Sequence, residues 1–141
     1  EAGRLGEESR RLGAIFARAT RRSLILLNES LSSTSAGESL YLARDIVRAI
    51  RLLGARAIFA THLHELAADA AEINAETPGD SDIISMVSLV TQADDSGETR
   101  RTYRIVPGAP MGRSYAREIA ARYGISFEQL EAALRARNAI P

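Results

Sequence analysis

Ser23-Leu-Ile-Leu-Leu-Asn-Glu29 constrains this chain more than any other stretch. It is an unbroken apolar run that ends abruptly in an amide and a carboxylate. A short run of this kind, with no polar alternation, predicts a strand buried on both faces, as in a parallel sheet. In open α/β sheets ligands bind outside the carboxyl ends of the strands. Asn28 and Glu29 fall at that end and are the first candidates for chemistry.

The flanking pattern supplies the rest of a unit. Leu5, Leu12, Ile15, Phe16 and Ala19 recur at helical spacing, which predicts an amphipathic helix over 4–19 with Arg10, Arg11 and Arg18 on its outer face. Residues 30–37 are rich in small hydroxyl side chains and read as a loop. Leu40, Ala43, Ile46, Val47, Ile50 and Leu53 form the stripe of a second helix, with Gly54 as its stop. Ala57-Ile-Phe-Ala60 is a second short apolar strand that ends at Thr61-His62. Strand, helix and strand at this spacing predict a right-handed βαβ unit with parallel strands. Asn28-Glu29 and Thr61-His62 then lie on one edge of the sheet, so residues far apart in sequence converge.

Beyond the unit, Leu63, Leu66, Ala67, Ala70 and Ile73 predict a third helix over 63–73, and 74–82 reads as an exposed loop. Ile84, Met86, Ser88 and Val90 face one way on a strand near 83–92. Asp94-Asp-Ser-Gly97 is a turn signal, and Tyr103 and Ile105 alternate with charges over 99–106. Together they predict an antiparallel hairpin. Two helices, 114–123 and 126–138, close the chain, separated by Gly124 and with Ser126 as an N-cap.

Composition narrows the class. The 141 residues suffice for one domain with a real core. Eighteen basic and 18 acidic residues balance, so nothing draws the whole chain to nucleic acid or an anionic membrane, and any DNA contact must be local or lie elsewhere. There is no cysteine, hence no disulfide framework and no thiolate metal site, which fits a cytoplasmic protein. No apolar run approaches membrane-spanning length. The chain opens at Glu1 directly into a helical pattern, as a piece of a longer protein would.

Each motif has more than one reading. An apolar strand ending in Asn-Glu suits nucleotide hydrolysis, in which the first residue helps hold a magnesium shell and the glutamate polarises the attacking water. A polar strand terminus entering a loop would look the same. In Thr61-His62-Leu63-His64-Glu65, His62 at a strand end could sense a γ-phosphate. His-x-His-Glu is a weak metal set without Cys or a further His, and an ordinary polar helix start also fits. The hydroxyls of Ser32-Ser33-Thr34-Ser35 could meet phosphate or a partner subunit, or could simply cap a helix. The pairs Arg10-Arg11, Arg21-Arg22 and Arg100-Arg101 are short and lie among acids, and read better as solvated faces than as DNA contacts. No Gly-x-x-x-x-Gly-Lys-Ser/Thr loop occurs, and the chain holds no lysine, so a P-loop site cannot be complete within it.

Taken jointly and in order, these features resemble the C-terminal ATPase domain of the MutS family of DNA mismatch repair proteins, an ABC-type nucleotide-binding fold. The resemblance runs without gaps from Gly3 to Leu66 and resumes in Tyr103-Arg-Ile-Val-Pro-Gly108 and Ser114-Tyr-Ala-Arg-Glu-Ile-Ala-Ala-Arg-Tyr-Gly124. It implies an α/β fold, the C-terminal portion of an ABC-type P-loop NTPase sheet with flanking helices, a β-hairpin and a helical tail. The chain would be a single partial domain over 1–141, with signature helix, Walker B and switch-histidine core in 1–73 and hairpin and terminal helices in 83–141. It implies catalytic roles for Glu29 and His62, and a water-mediated magnesium shell at Asn28 and Glu29. Gly3, Asn28, Thr34 and Ser35 would meet ATP or the partner subunit's nucleotide. The intact protein would use ATP and Mg2+, form a homodimer through this domain, and couple both to DNA held by other domains.

There are three departures from the family pattern. Asn28 replaces the usual Walker B aspartate, Gly3 replaces a serine, and Leu31-Ser32-Ser33 replaces Gly-Arg-Gly. They leave open a second expectation, a non-hydrolysing, nucleotide-gated or structural dimerisation module. Lacking a phosphate loop, the chain by itself is expected to bind ATP poorly.

Overall fold

The computed structural model describes residues 3–92, 99–110 and 114–141, and the chain divides into two compact units after Pro110. The first begins with α1 (Arg4–Arg18), whose one buried side chain is Leu12, with Leu5, Ile15 and Phe16 packed beside it. β1 (Leu24–Asn28) follows, then α2 (Ala36–Leu53) and β2 (Arg56–Ala60). α2 starts where it does because Ser35 Oγ accepts the Glu38 N–H, satisfying a donor that the first turn leaves free. It stops at Gly54, which adopts a left-handed φ of 73° and returns its N–H to Ile50 and Arg51.

β1 and β2 pair in parallel, Leu24 opposite Arg56 through Asn28 opposite Ala60, as the βαβ reading requires. Ile25 and Leu27 point into a core built with Leu12 of α1, Ala43, Val47 and Ile50 of α2, and Leu31, Leu66 and Ile73. The expectation that this strand is buried on both faces is not met. Its burial alternates, and Leu24 (63%), Leu26 (64%) and the β2 residue Ile58 (65%) are exposed on the opposite face. An all-apolar strand specifies two apolar faces but not what covers them. The stripes of α1 and α2 both close on the Ile25–Leu27 side.

The single third helix becomes two, α3 (His64–Ala68) and α4 (Ala70–Glu76), broken at Asp69. At the break Arg44 on α2 is engaged: its guanidinium lies 2.5 Å from the Asp69 carboxylate and reaches Glu72 and Glu76 at 3.4 Å. Of the exposed loop expected at 74–82, residues 74–76 belong to α4 and 78–82 are exposed as read. Thr77 is buried, and Arg51 Nε donates to its carbonyl at 2.6 Å, while the other guanidinium nitrogens donate to the carbonyls of Ser81 and Asn74.

β3 (Met86–Gln92) starts three residues later than the apolar pattern suggests and pairs antiparallel with β4 (Thr99–Pro107). Ile84, Met86 and Ser88 share an exposed face, as read. The alternation shifts at Leu89/Val90, where β4 advances from Arg104 to Arg101 and leaves Thr102 and Tyr103 as extra residues. The turn signal 94–97 lies outside the described residues. The second unit contains α5 (Ser114–Arg122) and α6 (Phe127–Ala136). Gly124 at φ 74° separates them, and Ser126 forms a reciprocal capping box with Gln129. Among the described residues no helix is long and apolar enough to cross a membrane.

Candidate functional site

The parallel register sets Asn28 beside Ala60, so the chain leaves both strands at the same edge. Glu29 adds one more rung to the ladder, its N–H bonding to Ala60 O at 2.8 Å. Two residues past Ala60, His62 stands opposite, and its Nε2 lies 3.2 Å from Glu29 Oε1. A carboxylate and an imidazole 33 residues apart in sequence thus share one proton-transfer distance. Both face solvent, the histidine more than the glutamate, so the pair contributes little to stability. Water and a polar ligand can reach it.

Backbone conformation aims the two side chains. Glu29 has φ 53°, a left-handed value that costs a non-glycine residue about 1–2 kcal/mol. Strand alternation places Asn28 on the exposed face of Leu24 and Leu26; an extended Glu29 would have pointed toward the Ile25–Leu27 core instead. The left-handed turn carries its carboxylate out to the edge. On the other side Thr61 Oγ1 accepts the Leu63 N–H at 3.0 Å, and His64 N–H bonds to His62 O, a local turn that presents the imidazole.

The remaining candidates are placed around this pair. Thr34 Oγ1 and Ser35 Oγ both donate to Glu38 Oε2, the latter at 3.1 Å. These bonds, that from Thr34 first, hold the Glu38 carboxyl below its ordinary range. Both hydroxyls are thus engaged in capping α2. Ser33 Oγ donates to Glu8 on α1 at 3.0 Å, tying the loop to the first helix. Gly3 occupies the N-cap of α1, and an added Cβ there would meet open space. Two further participants are Leu31, noted above only as a departure from the family pattern, and Ser39, which no motif marks. Leu31 has φ 66° with its side chain fully buried, and the buried Ser39 hydroxyl donates to its carbonyl at 2.5 Å.

The donor set fits part of a magnesium–nucleotide site. The Glu29 carboxylate and Asn28 amide oxygen are hard donors suited to magnesium through water, with phosphate oxygens completing the shell. Among the described residues no cluster of three His, Cys, Asp or Glu could hold a metal ion by itself. The chain also lacks the lysine of a phosphate loop. The residues present suit the hydrolytic side of such a site and not the cradle for its phosphates.

A parallel βαβ unit whose strand ends bring a carboxylate to an imidazole defines a mixed α/β protein with both groups at the carboxyl ends of its strands. The family model described as MutS domain V matches residues 4–140, and the chain belongs to the MutS family. It is 33% identical over 125 residues to the DNA mismatch repair protein MutS 2 of Haloarcula marismortui, which covers 88% of this chain and 12% of that protein. It is 31% identical over 119 residues to the DNA mismatch repair protein MutS of Sorangium cellulosum, covering 84% of this chain and 12% of that protein. It is 35% identical over 116 residues to the Endonuclease MutS2 of Thermomicrobium roseum, covering 82% and 13%. The chain therefore spans only 12–13% of the length of these relatives.

Proposed function

We propose that this chain is the C-terminal segment of a MutS-like ATPase domain, the later part of an ABC-type sheet. In the intact dimer it would serve ATP hydrolysis coupled to DNA held by other domains. The observation that carries this reading is the 3.2 Å approach of His62 Nε2 to Glu29 Oε1 at the shared carboxyl end of β1 and β2. Glu29 acts as the base that polarises the attacking water. His62 orients that carboxylate and meets the γ-phosphate. Asn28 accepts a magnesium-bound water through its amide oxygen. Gly3 and the Ser32–Ser35 loop lie toward the partner subunit, with Thr34 and Ser35 also fixing the start of α2. Bound magnesium–ATP would supply the bond to be cleaved and the charge that neutralises it.

The experiment is ATP turnover by the full-length protein, with and without DNA, beside Glu29→Gln. Turnover should fall by about 10²–10⁴-fold, the usual contribution of a positioned base, while ATP binding survives. A wild type that binds ATP without Glu29-dependent turnover supports the second reading, a nucleotide-gated dimerisation module. Asn28 favours that second reading, since an amide brings no negative charge to the metal shell, and so does Gly3, which offers no hydroxyl to a partner's phosphate.

A further inference from the structure

The turn that follows β1 contains two left-handed residues that are not glycine, Glu29 at φ 53° and Leu31 at φ 66°. Neither conformation persists without something that over-determines it. For Glu29 the ladder bond to Ala60 fixes the N–H but leaves the direction of the following chain free. Leu31 supplies what is missing. Its side chain is 2% exposed and belongs to the core shared by α1, β1 and α2. Its carbonyl accepts a bond from the hydroxyl of Ser39, which is itself 2% exposed on the first turns of α2. Ser39 Oγ also lies 3.5 Å from Thr34 O, the far end of the same loop. The turn is therefore clamped at Leu31, by its buried side chain and by its carbonyl on the Ser39 hydroxyl, two residues beyond Glu29.

We infer that Leu31 and Ser39 are positioning residues for Glu29. They hold the left-handed turn that sends its carboxylate to His62 instead of toward the core. This rests on the reading of Glu29 and His62 as the working pair, and deepens it by naming what sets their geometry. Without the Ser39 hydroxyl, the Leu31 carbonyl would be buried without its partner and the turn could relax toward ordinary φ. Glu29 would then lose its approach to His62.

The test reads the pair directly. In the full chain, the imidazole ¹⁵N signals of His62 are recorded by NMR in wild type, Glu29→Gln, Ser39→Ala and Thr102→Ala. Thr102→Ala is a matched control, since Thr102 Oγ1 also donates to a backbone carbonyl, that of Leu89 at 2.6 Å, within the hairpin. Ser39→Ala is expected to move the His62 signal at least half of the way to its position in Glu29→Gln, and Thr102→Ala to leave it in place. Leu31→Gly permits a left-handed φ without strain but drops the buried anchor that holds the turn in it. It should move His62 in the same direction, and it carries the test if Ser39→Ala does not fold. In the full-length protein Ser39→Ala should lower kcat about tenfold at unchanged KM, as expected of a misplaced base. If Glu29→Gln moves His62 and neither Ser39→Ala nor Leu31→Gly does, the positioning role is wrong and the pair stands. If Glu29→Gln itself leaves His62 unmoved, the pairing fails and both inferences fall. A wild-type backbone coupling at Leu31 that excludes positive φ overturns the positioning role without any variant.

Discussion

Arg51 is the residue on which the second half of the first unit depends most. It is 8% exposed, and its guanidinium meets the carbonyls of Asn74, Thr77 and Ser81. A planar fork can reach three diverging carbonyls; an ammonium on a lysine stem cannot. Arg51→Lys should cost about 3 kcal/mol in urea denaturation, the value of one or two buried charged hydrogen bonds. Gly79 closes against the same side chain. A Cβ there would lie 2.8 Å from Arg51 Cγ and 3.0 Å from its carbonyl oxygen, so Gly79→Ala should cost about 1–3 kcal/mol by overpacking. Glu38 yields a pH prediction. Its carboxyl is held below the ordinary range chiefly by the Thr34 hydroxyl, then by Ser35. A depressed carboxylate contributes stability that is present above its unfolded pKa and is lost as pH falls through the folded value. Thermal melts between pH 7 and pH 3 should therefore show a smaller loss in Glu38→Gln than in wild type. At this scale the sequence was half legible. Glu29, Asn28 and His62 stand out because polar groups at the ends of apolar runs are conspicuous. Leu31 stands out only as a departure from a family glycine; a leucine itself announces burial and gives no sign of a left-handed backbone.

Among the elements, those with strong local chemistry were the easiest to read. α2 is bounded by a serine cap and a left-handed Gly54, and α6 by the Ser126–Gln129 box; both ends are short-range and visible in sequence. The α3/α4 break was invisible. The apolar spacing of Leu63, Leu66, Ala70 and Ile73 runs through it, and the Arg44–Asp69 pair found there joins residues 25 apart in sequence. The hairpin bulge was hidden for a related reason. Thr102 and Tyr103 fit the alternation of β4, yet the pairing skips them and leaves Tyr103 at φ 58° with its side chain almost fully exposed. Nothing buried holds that tyrosine there. Asparagine tolerates left-handed backbone better, so Tyr103→Asn should be neutral or stabilise by up to about 1 kcal/mol, measured by thermal melting. A loss of stability would mean that the phenol ring packs against something.

The molecule as a whole is governed by the uneven cover of its parallel sheet. Leu26 and Ile58 are register partners on one face, with Leu24 beside them, and all three remain exposed while Ile25 and Leu27 are buried behind. Exposed apolar side chains scattered singly are ordinary. A contiguous set on a two-stranded parallel sheet is not, because parallel sheets are as a rule covered on both faces. Among the described residues each strand also has one unpaired edge, which adds free N–H and C=O groups to the same surface. The chain by itself should consequently self-associate as its concentration rises, by burying this face or extending this sheet. Placing a charge at the centre of the face opposes both routes, and since Leu26 and Ile58 contribute nothing to the core, the fold should tolerate it. Light scattering across a concentration series should show the mean mass of the wild type climbing, and Leu26→Lys or Ile58→Lys holding near the monomer with an unchanged melting temperature. A wild type that stays monomeric at high concentration would show that this face is compatible with water as it stands. A lysine variant that melts far lower would show instead that the face is covered within the chain, and that both sides of the sheet count as core.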